Sequence, residues 1–205
     1  MPDDRLARIR QAFDARAADY DESEMHRDLA ATVAERLDLD GVTTMLDVAT
    51  GTGLVLRAVA RRDPGVRRLI GVDISREMLR VAQSALPSAD WWEADATALD
   101  LDDDSVDLIT CVTALHILPD VPAALREWAR VLRPAGLLVT ASFSSAHLTG
   151  VERTSHPYPR DHAPYASPGA IATTFAAQGF ALDTFWEWTD GVDTVLIAQF
   201  RLMAG

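Results

Sequence analysis

The spacing of apolar positions changes along this chain, and with it the kind of element it predicts. Leu6, Ile9, Phe13, Ala17 and Tyr20 recur at helical intervals, which predicts an amphipathic helix ending near Tyr20-Asp21-Glu22-Ser23. Leu29, Val33 and Leu37 repeat that spacing and predict a second helix over residues 26–39, closed by Asp40-Gly41. From residue 44 onward short apolar runs alternate with amphipathic ones. Strands are predicted at residues 44–49, 68–72, 90–93, 106–112 and 137–143. Helices are predicted between them: at residues 54–62, at residues 76–85 with Ser75 as N-cap and Pro87 as stop, and from Asp120-Val121-Pro122 with Leu125, Trp128, Val131 and Leu132 on the apolar side. Strand and helix repeated in this way imply an α/β chain, a parallel sheet with helices on both faces.

The tail changes character. Residues 144–167 hold no period and are long for a loop inside a compact domain, and such loops usually serve a site. Ser167-Pro168 opens a helix that ends at Gly179. Residues 180–188 and 192–202 then flank Thr189-Asp190-Gly191, a hairpin signal. The expected organisation is a single domain over residues 1–205, with a helical cap at 1–40 and a substrate-side loop at 144–167.

Composition narrows the partners. A chain of 205 residues suits one domain. Its 31 acidic residues outweigh 19 basic ones, all arginine, and the formal charge of −12 repels phosphate backbones. A nucleic-acid substrate is therefore not expected. No apolar run approaches a membrane span, and the acidic start Met1-Pro2-Asp3-Asp4 is not signal-like, so the expected location is cytoplasmic, without a membrane partner. The lone Cys111 excludes an internal disulfide and any cysteine-cluster metal site.

The chemistry centres on Met45 to Gly53, an apolar strand that passes Asp47 and breaks into a glycine turn at a helix N-terminus. Backbone N–H groups and the helix dipole there face the negative part of a ligand, and Gly51 and Gly53 remove side chains that would hold it away. The dinucleotide fingerprint needs a third glycine where this chain has Leu56, so that reading fails. Asp47 with Ala49-Thr50-Gly51-Thr52-Gly53 instead resembles the first motif of the class I S-adenosylmethionine (SAM) methyltransferases. Further resemblances follow in order: GVDISREML after the second strand, Asp95-Ala96 after the third, Cys111 to Asp120 after the fourth, and RVLRPAGLLV before the fifth. The last departs from the family by Ala135, where a glycine is typical.

The resemblance implies a Rossmann-like sheet of seven strands, mostly parallel, with the last strand reversed. It also implies roles. Asp47 helps hold the methionine amino group, while Gly51 and Gly53 let the amino-acid tail lie against the turn. Asp73 accepts the ribose hydroxyls, which its carboxylate suits by geometry as well. Ile74 and Met78 pack near adenine, Asp95 and Ala96 meet the ring's edge, and Thr113 passes beneath the methionine. Tyr20, in a segment resembling the one that closes over the cofactor, reaches the methionine carboxylate.

The expected acceptor is a small-molecule metabolite, methylated at oxygen or nitrogen. Enzymes methylating amino groups of DNA bases carry Asn/Asp-Pro-Pro-aromatic where this chain reads Val112-Thr113-Ala114-Leu115. A C5-pyrimidine enzyme needs a nucleophilic cysteine, and Cys111 falls inside a buried strand. A hydroxyl acceptor gains from a general base, worth about 10²- to 10⁴-fold. His116 and His147 are the candidates, ahead of His162 and His156. No metal is expected: His147, His156 and His162 are irregularly spaced, residues 100–104 read as a solvated turn, and His26 as helix surface. Two alternatives stand beside this reading: a SAM-binding enzyme that does not methylate, such as a cyclase, and an NAD-dependent oxidoreductase. The expected assembly is a monomer or homodimer.

Overall fold

The computed structural model describes residues 2–144 and 157–203. Helix α1 (Pro2–Asp14), a 3-10 turn at Tyr20–Glu22 and helix α2 (Glu24–Arg36) precede the alternating part. There follow β1 (Thr44–Val48), α3 (Leu54–Arg62), β2 (Arg68–Asp73), α4 (Arg76–Ala85), β3 (Asp90–Glu93), β4 (Val106–Val112), α5 (Val121–Val131) and β5 (Leu132–Phe143). A 3-10 turn at Ala163–Tyr165, α6 (Pro168–Ala176), β6 (Phe180–Thr189) and β7 (Thr194–Leu202) complete the described chain.

The strands form one seven-stranded sheet in the order β3-β2-β1-β4-β5-β7-β6. Only β7 runs against its neighbours, pairing antiparallel with both β5 and β6. This is the seven-stranded α/β sheet expected, its reversed strand inserted beside β5 rather than left at the edge. The chain winds one way from β1 to β2 and the other way to β4, so a crevice opens at the C-terminal ends of these strands.

Both faces are covered, and alternate residues of each strand supply them. Leu46, Val48, Ile70, Ile109, Cys111 and Leu138 point to the side packed by α5 and α6. Met45, Leu108 and Val139 point to the side packed by Leu29 and Val33 of α2 and Val55 and Leu56 of α3. The predicted caps hold: the Ser75 hydroxyl accepts from Met78 N, and Asp120 accepts from Ala123 N at 2.9 Å.

Several boundaries differ from the sequence expectation, α2 running over Glu24–Arg36 rather than 26–39 and α6 ending at Ala176 rather than Gly179, and three differences have a visible cause. Helix α1 stops at Asp14 rather than near Tyr20, because the Asp14 carboxylate is drawn to the start of α4, where it accepts from Ser75 Oγ at 2.6 Å and Glu77 N at 3.3 Å. Strand β1 stops at Val48 because Ala49 turns left-handed, with φ 54°. Strand β5 starts at Leu132; the predicted turn at residues 133–136 is an excursion within it, between the Val106–Leu132 and Leu108–Leu137 pairs.

Candidate active site

The glycine turn is built by backbone bonds between strand ends. Thr50 N donates to Val72 O at 3.0 Å, and Gly53 N donates to Thr50 O at 2.9 Å. The two glycines of the motif serve different neighbours. Gly51 faces the cavity, where an added Cβ would meet only Tyr20 Cε1 at 3.9 Å. Gly53 faces Trp91 instead: with φ 77°, its added Cβ would lie 2.4 Å from Cη2 of that ring. Gly71 on β2 has the same neighbour, at 2.3 Å from Cζ3. The Trp91 ring therefore lies against two bare backbones, tethered by Nε1 donating to Leu86 O at 3.0 Å.

Asp73 ends β2 on the cavity wall and is 8% exposed. Its Oδ2 accepts from Gly51 N and its Oδ1 from Ser75 N, both at 2.8 Å. Each oxygen keeps a lone pair for a ligand hydroxyl. Burial raises its pKa, against the backbone donors. Asp47 does not line the cavity. It lies beneath the turn, 2% exposed, accepting from Thr50 Oγ1 and Thr110 Oγ1 at 2.6 Å each. Burial pushes its pKa up to about 6. Asp95 lines the cavity with one oxygen turned back to Thr97, accepting its N–H and its hydroxyl at 2.8 Å.

Helix α1 roofs these strand ends. Leu6, Ile9 and Phe13 face a cavity of about 740 Å³, counting its open mouth, together with Tyr20, Val48, Ile74, Ala96 and Thr113. Sequence reasoning read Leu6, Ile9 and Phe13 only as a helix stripe; nothing local says what such a stripe covers. The roof is pinned at both ends, by Asp14 on α4 and by Arg5, whose Nη2 donates to Ile117 O at 3.3 Å and Pro159 O at 3.4 Å. Asp21 fixes the turn that carries Tyr20, accepting from the Thr52 hydroxyl and pairing with Arg57. Tyr20 hydrogen-bonds Thr113, and burial pushes its phenol up to about 12, so it stays neutral. His26 is not plain helix surface: its ring lies tilted against Tyr20, 4.7 Å between centroids, and burial lowers its pKa.

Met78 is placed differently from the residues around it. It is fully buried in α4 and does not line the cavity, whereas Ile74 does. Thr113 follows β4 with φ 54°, its N–H donating to Ala141 O at 2.8 Å. Ala49 and Thr113 thus turn left-handed at the ends of adjacent strands, and both line the cavity. Non-glycine residues held there cost of order 1–3 kcal/mol each, and such strain gathers at functional sites.

Past Thr113 the polar groups are arranged otherwise. His116 is 5% exposed and stacks on His162 at 4.1 Å, with the Phe143 ring edge-on at 5.8 Å. Neither histidine lines the described cavity. His147 and His156 lie outside the described residues. Burial pushes the Cys111 thiol up, leaving it inert, and the Tyr165 phenol up to about 12. Thr140 and Ser142 on β5 and Ser144 just past its end carry hydroxyls that find no partner among the described residues, and the buried Nε of Arg5 finds none either. Each such group costs about 1–3 kcal/mol. The sequence showed these residues but not their isolation. Among the described residues no cluster of His, Cys, Asp or Glu is arranged for a metal, and no helix is long and apolar enough to cross a membrane.

Fold and cavity together define an α/β domain with the methyltransferase strand order and a roofed cavity at its strand ends. Residues 46–140 match the family described as "Methyltransferase domain". The chain is 40% identical over 112 residues to trans-aconitate 2-methyltransferase of Azoarcus sp., covering 55% of this chain and 42% of that protein. It is 35% identical over 144 residues to malonyl-[acyl-carrier protein] O-methyltransferase of Halorhodospira halophila, covering 66% and 48%. The chain thus spans about half the length of these relatives. In solved structures it superposes with a TM-score of 0.80 and 23% identity on a chain of the complex between the Haloferax volcanii Trm112 methyltransferase activator and a putative methyltransferase, covering 94% of this chain and 98% of that one. The [4+2]-cyclase SpnF shares the fold at a TM-score of 0.68 and 19% identity, covering 87% and 81%. By these likenesses the chain is similar to the class I SAM-dependent methyltransferases, over residues 46–140 for the family and over most of its length for the fold.

Proposed function

We propose that this chain transfers a methyl group from SAM to an oxygen or nitrogen of a small-molecule metabolite. One observation carries the reading: Asp73, Asp95 and the Gly51 turn surround one roofed cavity at the strand ends, with the buried charge of Asp47 directly beneath. The residues fit the cofactor. Asp73 has lone pairs left for a ribose diol, Ile74 and Ala96 supply an apolar slot, and Asp95 keeps an oxygen for an adenine amino group. Tyr20 and the Gly51 backbone would hold the amino-acid tail, with Asp47 supplying negative potential to its ammonium group. Gly53 and Met78 support that turn and slot from behind, Gly53 by admitting Trp91.

SAM, when bound, supplies an electrophilic methyl on a sulfonium. The chain's own part is to orient. Tyr20 and Thr113, bonded to each other beside the cavity, limit where an acceptor approaches, and alignment of this kind supplies most of the acceleration in a direct displacement. The α1 roof excludes water. For a hydroxyl acceptor we assign the proton to His116, the described histidine that follows β4, with His147 as the second candidate.

The relatives' names support small acceptors, a carboxylic acid and an acyl chain on a carrier protein among them. The cyclase neighbour favours a second reading, cofactor binding without transfer. Calorimetry with S-adenosylhomocysteine (SAH) tests the site. Asp73→Asn is expected to weaken binding about 100-fold, the size of a charge-assisted hydrogen-bond loss, and unchanged affinity would sink the assignment. Labelled SAM with a metabolite extract tests the chemistry: the second reading predicts that SAH never accumulates.

A further inference from the structure

Two carboxylates tie down the roof of the cavity, and each directly follows an aromatic residue that lines it. Phe13 and Tyr20 are in the cavity wall, whereas Asp14 and Asp21, next in the chain, are not. Asp14 Oδ1 accepts from Ser75 Oγ at 2.6 Å and from Glu77 N at 3.3 Å, at the start of α4. Asp21 accepts from Thr52 Oγ1 and pairs with Arg57 Nη1, at the start of α3. Between them Arg16 lays its guanidinium over both rings, 4.0 Å from the Phe13 centroid and 5.4 Å from that of Tyr20. The stretch from Phe13 to Asp21 is thus a strap with an anchor at each end.

Both anchors belong to the loops that already hold Asp73. Gly51 N, beside Thr52, donates to Asp73 Oδ2, and Ser75 N donates to its Oδ1, at 2.8 Å each. A strap fixed to these two loops keeps Phe13 and Tyr20 in register with the carboxylate on the cavity wall. A side chain that meets a ligand is only as well placed as the groups that hold it, and a shift of about 1 Å can cost of order 100-fold. The two anchors are unequal. Asp14 meets neutral donors, while Asp21 also meets a guanidinium, in a pair whose side chains are 30% and 24% exposed and so only partly screened by solvent.

We propose that Asp14 and Asp21 are positioning residues for the cofactor: neither touches it, and together they hold Phe13 and Tyr20 over it, Asp21 with the larger share. The proposal rests on the SAM-binding part of the reading above. It concerns how the cofactor is held, whichever acceptor takes the methyl.

The test is a double-mutant cycle on SAH affinity, measured by calorimetry with Tm recorded beside it. Asp21→Asn keeps an oxygen for Thr52 but loses the ion pair with Arg57, and it is expected to weaken SAH binding about 10-fold. Asp14→Asn, which keeps an acceptor for both neutral donors, is expected to weaken it about 3-fold. Tyr20→Phe alone is expected to cost about 5-fold. If Asp21 acts through Tyr20, the double variant loses about 10-fold rather than the roughly 50-fold that independent sites would give. Arg57→Met breaks the same pair from the other side and should give the same loss and the same coupling, so the cycle stands even if Asp21→Asn does not fold. A merely structural Asp21 would lower Tm and show no coupling to Tyr20. Additive losses in the cycle overturn the proposal, as does wild-type SAH affinity in Arg57→Met; wild-type affinity in Asp14→Asn overturns it for Asp14. Failure of the wild type to bind SAH overturns the SAM-binding reading and this proposal with it; the other failures leave that reading standing.

Discussion

On the β1–β2 side of the site the carboxylates are already bonded within the protein: Asp73 to two backbone N–H groups, Asp47 to two threonine hydroxyls, Asp95 to Thr97. On the β5 side, Thr140, Ser142 and Ser144 are buried as deeply and bonded to none of the described residues. A site that takes the same nucleoside in every turnover gains from donors and acceptors fixed in advance, since no reorganisation is then needed. Hydroxyls left open instead carry an unmet hydrogen-bonding cost of about 1–3 kcal/mol each.

The largest expected effect lies at Asp47. Its folded pKa of about 6 stands above the ordinary 3.8, so the folded state holds the proton more tightly than the unfolded chain does. That contribution to stability is fully present below pH 4, and it is lost as pH rises through 6. Stability of the wild type relative to Asp47→Asn should therefore fall by about 3 kcal/mol between pH 4 and pH 7, measured by denaturant unfolding. The same variant should bind SAH more weakly at pH 7. A flat stability difference would mean that Asp47 is not desolvated as its position implies, and the contrast between the two sides would weaken.

A smaller effect compares two threonines that are both 0% exposed. Thr110 donates to Asp47 at 2.6 Å, and Thr140 donates to nothing described. Thr110→Val should cost about 1–3 kcal/mol, since it strips a buried carboxylate of a donor; Thr140→Val should be neutral or stabilising. Equal losses in thermal or urea unfolding would show that Thr140 has a partner after all, and the proposed asymmetry would go.

The same contrast governs what the sequence made legible. Helices α3 and α4 and strands β3 and β4 fall at the predicted bounds, and Asp73 and Asp95 line one cavity with Asp47 beneath the turn, because strand–helix alternation and glycine turns are written in local residues. Long-range relations were not written there. Nothing in GTG separates Gly51, which faces the cavity, from Gly53, which admits Trp91 from 38 positions on. Nothing local marks Asp14 or Asp21, yet they fasten the roof to α4 and α3. The isolation of Thr140, Ser142 and Ser144 depends on what fails to surround them, which no motif records.

The smallest effect tests the one departure from the family pattern noted in the sequence. Ala135 occupies the place where a glycine is typical, and it has φ 63°. An L-residue held left-handed costs about 1–2 kcal/mol from Cβ crowding, while glycine adds about 0.5–1 kcal/mol of unfolded-chain entropy to be lost. The first effect is the larger, so Ala135→Gly should stabilise by about 0.5–1 kcal/mol and raise Tm by roughly 2 °C. Ala135 lies in the β5 excursion, away from the cavity, so SAH affinity should not change. A shift in SAH affinity would mean that the turn before β5 is coupled to the cofactor side, and that the two sides are not independent.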